Sequence, residues 1–306
     1  MVLSRLQRGG ALLIALVAVA LASLLAVGLI ERTQRDLART AALVANERAW
    51  QYALGMDVLA DSSLNRALAE GLDPASLAGT WTEPFAVPGG HVQARLIDHH
   101  GRFNVNALGH PDNVLAAQAE QVLIRLLDQL GLPRALASEL REWQIEGDAG
   151  GRGGAESFWY GAQDPPYRRA GLPLAHASEL RWLRAVDGGT FERLIPHLTA
   201  LPSPQLSINV NAATPELLAA VIEGLEVEQA RRVLADGPFS DLQQLTTHPL
   251  LADRLSPEHT AVLRVTSGWF MVHSRVVLDE VVRDYHRLID RSGSGYDFRW
   301  FSQGPP

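Results

Sequence analysis

The feature that most constrains this chain is an uncharged apolar stretch near its N-terminus. It runs from Gly9 to Ile30, and Ser23 is its only hydroxyl side chain. A helix of this length is roughly 33 Å long, enough to cross a hydrocarbon core of about 30 Å. Arg5 and Arg8 precede the stretch, and no acid does. The positive-inside rule therefore predicts one membrane span, with a cytoplasmic N-terminus and the body of the chain across the membrane.

Three interpretations of the apolar stretch are open. It is an uncleaved anchor, a secretory signal peptide cleaved after Ala22, or a segment that stays in the mature protein behind a short basic leader ending in Gly9. Ala20 and Ala22 have the small-x-small order of a signal-peptidase site. The run is nevertheless long for a signal peptide, whose apolar core is typically about 7–15 residues.

The composition of the chain excludes several classes of function. Among 306 residues there are 27 Lys+Arg, 34 Asp+Glu and no Cys, and the formal net charge is −7. An acidic body lacks the electrostatic footprint of a nucleic-acid-binding surface. The lack of cysteine excludes disulfides, thiolate nucleophiles and Cys-based metal sites. Because no nucleophile elbow, HExxH motif or phosphate loop is present, we expect no enzyme, with an unrecognised periplasmic hydrolase as an alternative.

The pattern beyond the span predicts a long helix followed by strands. Residues 31–68 contain no Pro and one Gly, and their apolar side chains recur at helical spacing, so we expect one N-terminal helix of about 55–60 residues. Alternation then predicts strands over Thr80 to Val87 and Val92 to Ile97. The β-branched and aromatic composition of residues 262–301 predicts the strands that complete the sheet.

A short motif occurs twice between these strand regions. Phe103 to Ala107 reads FNVNA, and Ile208 to Ala212 reads INVNA. Each copy is followed by helical sequence, a Gly-Leu turn and a second helix, which indicates an internal duplication. Asn favours turns and helix caps, so a structural role is predicted for the four asparagines of the two motifs: Asn104, Asn106, Asn209 and Asn211.

The second copy resembles a helix-hairpin-helix unit, a module that often binds DNA. Its turn reads Gly224-Leu225-Glu226, and acids outnumber the nearby Arg231 and Arg232. Such a turn repels a phosphate, so a packing or partner-binding module is favoured, and a membrane-anchored DNA-binding protein is the alternative.

The pair His99 and His100 is a candidate for metal binding. No further His or acid lies at ligand spacing from the pair, so a solvated turn between strands is the preferred interpretation.

Two regions carry a family resemblance. Arg8-Gly9-Gly10-Ala11 resembles the leader junction of type II secretion pseudopilins, with cleavage between Gly9 and Gly10; Ile14 stands where most pseudopilins have Glu. The second region, between Trp143 and Leu183, closely resembles the signature of the K-type minor pseudopilins. Its matching pieces are Trp143, Gly154-Ala155-Glu156, Tyr160, Pro166-Tyr167-Arg168, Pro173-Leu174 and Ser178-Glu179-Leu180.

The resemblance, which runs from about residue 5 to about 290, implies an α+β fold. It consists of a pilin-like long N-terminal helix plus an antiparallel sheet, with a large all-α insertion domain that contains the helix-hairpin-helix-like repeats. The implied boundaries are a prepilin leader at 1–9, a transmembrane part at 10–31, the pilin-like helix and first strands at 32–106, the insertion at 107–261 and the C-terminal strands at 262–306.

The resemblance also implies a function and partners. A prepilin peptidase would remove the leader, leaving the chain in the inner membrane with its body in the periplasm. It would assemble with the I-type and J-type minor pseudopilins at the pseudopilus tip, and meet the major pseudopilin and the inner-membrane secretion platform. Ile14 fits a tip subunit, since no neighbour lies above it to neutralise a carboxylate in lipid. Nucleic acid is not an expected partner. A tip subunit of a related type IV pilus has the same expected features, so both assemblies are open.

Family members bind calcium through carboxylates of the signature region. The candidate ligands here are Glu146, Asp148, Glu156, Asp164 and Glu179. Clustered acids in a Gly-rich loop suit a hard cation, which needs about six to eight oxygen ligands. Ile145 and Gly147 replace acids of the family pattern, and Gly171 replaces an Asn, so calcium binding and its absence are both open.

Overall fold

The first element is one continuous helix. The computed structural model describes residues 5–70, 74–145, 159–279, 281–291 and 297–303. Helix α1 spans Arg5–Ala69, 65 residues, somewhat longer than predicted. It is the one described helix long and apolar enough to cross a membrane, and the mean hydropathy of its apolar part is 2.9. Its side chains from Leu12 to Leu43 are exposed, and the packed face begins beyond them.

The C-terminal half of α1 packs on a five-stranded antiparallel sheet. The strands lie in the order β1-β2-β7-β8-β9. Their bounds are Phe85–Val87 for β1, Gly90–Asp98 for β2, Trp269–Leu278 for β7, Val281–Asp290 for β8 and Asp297–Gln303 for β9. The predicted strand from Thr80 begins only at Phe85, because Pro84 cannot donate to a ladder. Thr82 still contacts β2 through a bond from its amide to Ala94 O.

Buried apolar side chains, two of them alanines, pack the helix against the sheet. Ala49, Ala53 and Met56 of α1 are buried, and they contact a common core with Val272 of β7 and other strand residues on the same face. This apolar face supplies the main free energy that holds α1 to the sheet.

Two buried ion pairs join the same surfaces. Asp57 Oδ2 lies 2.7 Å from Arg287 Nε, and Asp61 Oδ1 lies 2.6 Å from Arg291 Nη1. Burial raises the pKa of Asp57 to about 6, although the Arg287 guanidinium acts in the opposite direction. The ionised carboxylate is therefore incompletely compensated at neutral pH.

A helical insertion separates β2 from β7, although these strands are neighbours in the sheet. It contains an extensive core of its own, built around residues such as Phe103, Leu123 and Ile208. Its helices are α2 Asn113–Gln129, α3 Ala135–Gln144, α4 Gly188–Leu194, α5 Pro215–Val221, α6 Val227–Ala235, α7 Leu242–Thr246 and α8 Pro257–Val262. Short 3₁₀ segments cover Pro74–Leu77 before the sheet, and Val105–Gly109 and Ala177–Trp182 within the insertion.

Two short parallel strand pairs place the insertion boundaries outside the predicted range of 107–261. Strand β3 (Phe103–Asn104) pairs with β4 (Leu198–Thr199), and β5 (Ile208–Asn209) pairs with β6 (Leu263–Arg264). These strands belong to the two repeats rather than to the main sheet. The insertion consequently occupies residues 99–268, which the sequence pattern could not show because extended residues look alike in either location.

We predict that Asp57 makes the stability of the fold depend on pH. Its folded-state pKa of about 6 exceeds the ordinary value of 3.8. The folded chain thus binds more protons between these values, and the free energy of unfolding falls as pH rises through them, by on the order of 2 kcal/mol. The Asp57→Asn variant should lose this contribution.

The measurement is denaturant unfolding of the full chain in detergent between pH 4 and 7. Asp36→Asn is the matched control, since Asp36 lies exposed on the same helix. Identical pH slopes for wild type and Asp57→Asn would contradict the assignment.

Candidate functional site

The predicted leader junction lies within α1. Gly9 and Gly10 both have helical backbone in the uncleaved chain. Ile14 is 70% exposed, and the large apolar side chains that follow it toward Ile30 are exposed as well. An exposed apolar surface of this length is compatible with lipid contact, and a carboxylate at Ile14 would lie within the hydrocarbon.

The asparagines of the first motif hold distant segments of the first repeat together through buried hydrogen bonds, and we call such an asparagine pair a clamp. Asn106 Nδ2 donates to Leu174 O (2.9 Å) and Leu201 O (2.8 Å), and its Oδ1 accepts from Leu174 N (2.8 Å). Asn104 Oδ1 accepts from the amides of Asn106 and Leu201, while its Nδ2 donates to Ser203 O. Both side chains are buried, so these bonds satisfy backbone groups that water cannot reach.

The second pair repeats this geometry. Asn211 Nδ2 donates to Phe239 O and Val265 O, both at 2.9 Å, and its Oδ1 accepts from Phe239 N at 2.8 Å. Asn209 Oδ1 accepts from the Asn211 amide at 3.0 Å. Asn106 and Asn211 are therefore equivalent atom by atom, and the contacts describe a structural role in both copies.

The equivalence extends beyond what the sequence analysis detected. The residues bound by Asn106 and Asn211, Leu174 and Phe239, each follow a proline. Each also lies two residues before a residue whose side chain caps a helix. His176 accepts from Ser178 N, and Asp241 accepts from Gln244 N. This similarity is visible in the sequence, because in each copy the apolar residue after the proline is followed six positions later by a leucine, Leu180 or Leu245. The first copy differs mainly by the long signature stretch between α3 and Pro173.

The hairpin turns of both repeats are closed by arginines of the same chain. Gly131 and Gly224 have φ values of 61° and 75°, which favour glycine. Arg193 donates to Leu130 O at the first turn, and Arg254 donates to Gly224 O at the second. These bonds engage the turns in packing within the chain.

The prediction of a solvated turn at His99 and His100 is wrong in one respect. The pair His99-His100 does lie in a turn, but His99 is buried rather than solvated. Its Nδ1 lies 2.6 Å from Thr199 Oγ1, and His100 Nδ1 accepts from Gly268 N at 3.3 Å. Burial lowers the pKa of His100 to about 4, and burial also lowers the pKa of His99. The turn is buried because both repeats pack against it: Thr199 belongs to the first repeat, and Asn209, whose amide donates to His100 O, belongs to the second.

Asp98 joins the sheet to the second repeat, a contact that the sequence analysis missed. Its carboxylate accepts from the amides of His100 and Gly101, from Ser267 Oγ and from Asn209 Nδ2. The Asp-x-x-Gly order at the end of a strand is a signal for such a turn. Asn209 consequently serves both its own repeat and the sheet.

Aromatic rings surround the described part of the signature region. Tyr160 packs edge-on against Trp143 and Trp159, and Tyr167 packs edge-on against Trp182. Tyr160 Oη donates to Glu139 Oε1 at 2.8 Å. These contacts anchor the two ends of the region onto α3 and the 3₁₀ segment Ala177–Trp182.

Of the five candidate calcium ligands, Glu146, Asp148 and Glu156 lie outside the described residues. Glu179 Oε1 accepts from the amides of Ala175 and His176, so this oxygen serves a capping box. Neither Glu179 nor Asp164 joins a group of three potential ligands among the described residues. These two residues do not fit a calcium site by themselves, and calcium binding by the other three stays a prediction that calcium titration of the full chain can measure.

We predict that the clamps are strong stabilising contacts. Asn106→Ala leaves the amide and carbonyl of Leu174 without partners in a buried site, which should lower the free energy of unfolding by about 3–4 kcal/mol. Chemical denaturation of the full chain in detergent measures this loss. Asn113→Ala is the control, because Asn113 is exposed on α2 and should change stability by less than about 0.5 kcal/mol. A loss below about 1 kcal/mol for Asn106→Ala would contradict the role.

Known protein families and solved structures include close matches to this architecture. Two family models, both described as type II secretion system (T2SS), protein K, match residues 101–203 and 208–265. These ranges correspond closely to the two asparagine-clamped repeats.

Individual relatives extend the match over nearly the whole chain. The type II secretion system protein K of Klebsiella pneumoniae is 32% identical over 304 residues, covering 94% of this chain and 93% of the relative. That of Pseudomonas aeruginosa is 33% identical, covering 90% and 86%. A chain in the crystal structure of the GspK-GspI-GspJ complex from enterotoxigenic Escherichia coli aligns with a TM-score of 0.75 and 28% identity, covering 88% of this chain and 100% of that one. This protein therefore belongs to the type II secretion system protein K family.

Proposed function

We propose that this protein is the minor pseudopilin at the tip of a type II secretion pseudopilus, where it initiates or caps the assembly for protein export across the outer membrane. The observation that carries the proposal is the position of the insertion. It leaves and re-enters the sheet at the end farther from the apolar stretch of α1.

Contacts between α1 and the sheet define this orientation. Asp98 and Phe270, which flank the insertion, are partners in the register of β2 and β7. Nearby, the Arg291 amide donates to Gly268 O, and the Arg291 guanidinium binds Asp61, close to the C-terminal end of α1. Between Ile30 and Asp61 the helix rises by roughly 45 Å, so the insertion begins far from the membrane.

A body in this position favours the end of a helical assembly. Pilin-like subunits stack through their long helices, and residues 99–268 would occupy space that a subunit above requires. At the tip no such subunit exists. Ile14 supports the same location, because a subunit without a neighbour above it has no terminal amine to pair with a carboxylate in lipid.

Family membership supports the choice of partners. The related structure is titled a GspK-GspI-GspJ complex. We take I-type and J-type minor pseudopilins as partners here, with the major pseudopilin below and the inner-membrane platform and prepilin peptidase during assembly. Leu37, Val58 and Leu59 of α1 are exposed apolar side chains that could pack against neighbouring helices. The proposed location is the inner membrane, with one span, a cytoplasmic N-terminus and a periplasmic body.

The proposed role is structural rather than catalytic. Acidic side chains such as Asp57, Asp61 and Asp98 are engaged in joining the parts of the fold. Calcium bound by the acids of residues 146–158 would add rigidity to the first repeat, since carboxylates of one loop would share one cation.

We predict that prepilin peptidase cleaves between Gly9 and Gly10. After expression of the full chain with the peptidase, intact-mass spectrometry should give a mature chain beginning at Gly10, with an N-methyl group. Gly9→Trp should block processing by its bulk, and Gly28→Trp, in the same helix with open space around it, should not. An intact Met1 or cleavage after Ala22 would contradict the proposed assembly into a pseudopilus.

We also predict that the insertion and Ile14 each keep the protein out of the shaft. His99 donates its amide to Trp269 O, so Asn-Gly can replace residues 100–268 as a tight hairpin turn. Only the chain that combines this replacement with Ile14→Glu should enter the shaft, as mapped by immunogold labelling. The two single changes are the controls. Labelling along the shaft by the unmodified chain would contradict the tip location.

A further inference from the structure

A polar pocket lies where the sheet meets the two repeats. Its volume is about 400 Å³. Its walls include Arg95 and Ile97 of β2, Gly101 and Arg102 of the turn that follows, and Ala212 and Thr214 ahead of α5. The pocket therefore exists only after the insertion has folded back onto the sheet.

Arg102 brings an uncompensated charge to this pocket. The guanidinium is half-buried and makes no hydrogen bond or ion pair with any residue in the described ranges. Burial lowers the pKa of Arg102, and the neighbouring Arg95 lowers it further, while Asp98 acts in the opposite direction. A half-buried arginine without a partner is energetically unfavourable unless a ligand supplies the missing acceptors.

Arg95 is a second guanidinium, and it is held in place. Its Nε donates to His273 Nδ1 at 3.2 Å, and its guanidinium carbon lies 4.8 Å from the centre of the Trp81 ring. Within the described part of the chain, its two terminal nitrogens make no hydrogen bond. Their N–H groups therefore remain available on a rigid support.

The one acid among the pocket-lining residues does not balance these charges. Asp98 already accepts from two backbone amides, from Ser267 Oγ at 2.6 Å and from Asn209 Nδ2 at 2.9 Å. Two guanidiniums thus share the pocket with one carboxylate whose oxygens are engaged elsewhere. The pocket is a local cationic site on a chain whose net charge is −7.

We propose that Arg95 and Arg102 form an oxyanion site that receives the carboxylate of an Asp or Glu side chain from a partner polypeptide. Guanidinium groups match carboxylates in planar, bidentate geometry, and the attraction is strengthened by partial burial. The pocket is larger than one carboxylate, so it also accommodates the segment that carries the side chain. This site goes beyond the proposed tip location, because it identifies a contact chemistry at the sheet–insertion junction. A free anion such as phosphate has the same chemistry, so the test includes both.

The experiment titrates the full chain in detergent, at constant ionic strength, with three probes. They are a short peptide containing one Glu, the same peptide with Gln in its place, and inorganic phosphate. Calorimetry should show that the wild-type chain binds the Glu peptide at least about tenfold more tightly than the Gln peptide. Arg102→Gln should lose this preference. Arg232→Gln should keep it, because Arg232 is exposed on α6.

Thermal unfolding without ligand separates a site from a structural role. Since Arg102 lacks an internal partner, Arg102→Gln should unfold at the same temperature as wild type or higher. A lower unfolding temperature together with unchanged Glu-peptide binding would overturn the proposal. Arg102-dependent binding of phosphate without binding of the Glu peptide would assign the pocket to a free anion and also overturn it, as would no binding of any probe. Leader processing is measured separately, so failure here leaves the proposed function standing.

Discussion

The pairing of β2 with β7 is the constraint on which the rest of the structure depends. Asp98 and Phe270 lie directly opposite each other, although the whole insertion separates them in the chain. An insertion whose ends must meet within one strand spacing of about 4.8 Å has to fold as a closed unit. The loop-closure entropy of such a long segment opposes this pairing, and the core of the insertion offsets it by burying apolar residues from Phe103 to Leu263.

Asparagine amides make this closure specific. Hydrophobic burial is non-directional, whereas an Asn side chain can donate to one carbonyl and accept from the amide of the same residue. Asn106 does so with Leu174, and Asn211 does so with Phe239. The short helices that follow are marginal on their own, so these bonds position elements that intrinsic helix stability would leave undefined. Asn209 extends the network to Asp98 and thereby joins the second repeat to the sheet.

The same architecture connects packing with function. Helix α1 is long and apolar enough at one end to cross a membrane, and at the other end it forms one layer of a helix-on-sheet core. Ion pairs of Asp57 with Arg287 in β8 and of Asp61 with Arg291, the residue after β8, hold the sheet to the distal half of the helix, and the repeats extend beyond it. A rigid body at that end of a pilin-like scaffold favours a terminal position in an assembly. The junction also leaves Arg95 and Arg102 facing one pocket, which gives a largely acidic chain a defined site for a carboxylate.

The sequence by itself determined the apolar stretch of membrane-spanning length, the continuous helix, the duplication and the α+β class, because hydropathy, helical periodicity and repeated motifs are local properties of the chain. It also identified the four asparagines, since their type and spacing favour turns and caps. The insertion boundaries, the burial of His99, the role of Asp98 and the pocket of Arg95 and Arg102 were decided only by the tertiary structure. Each depends on which distant segments meet: Thr199 reaches His99, Asn209 reaches Asp98, and strand residues 263–264 join the repeat instead of the main sheet. Long-range contacts of this kind arise from chain closure and packing, which leave no periodic pattern in the sequence.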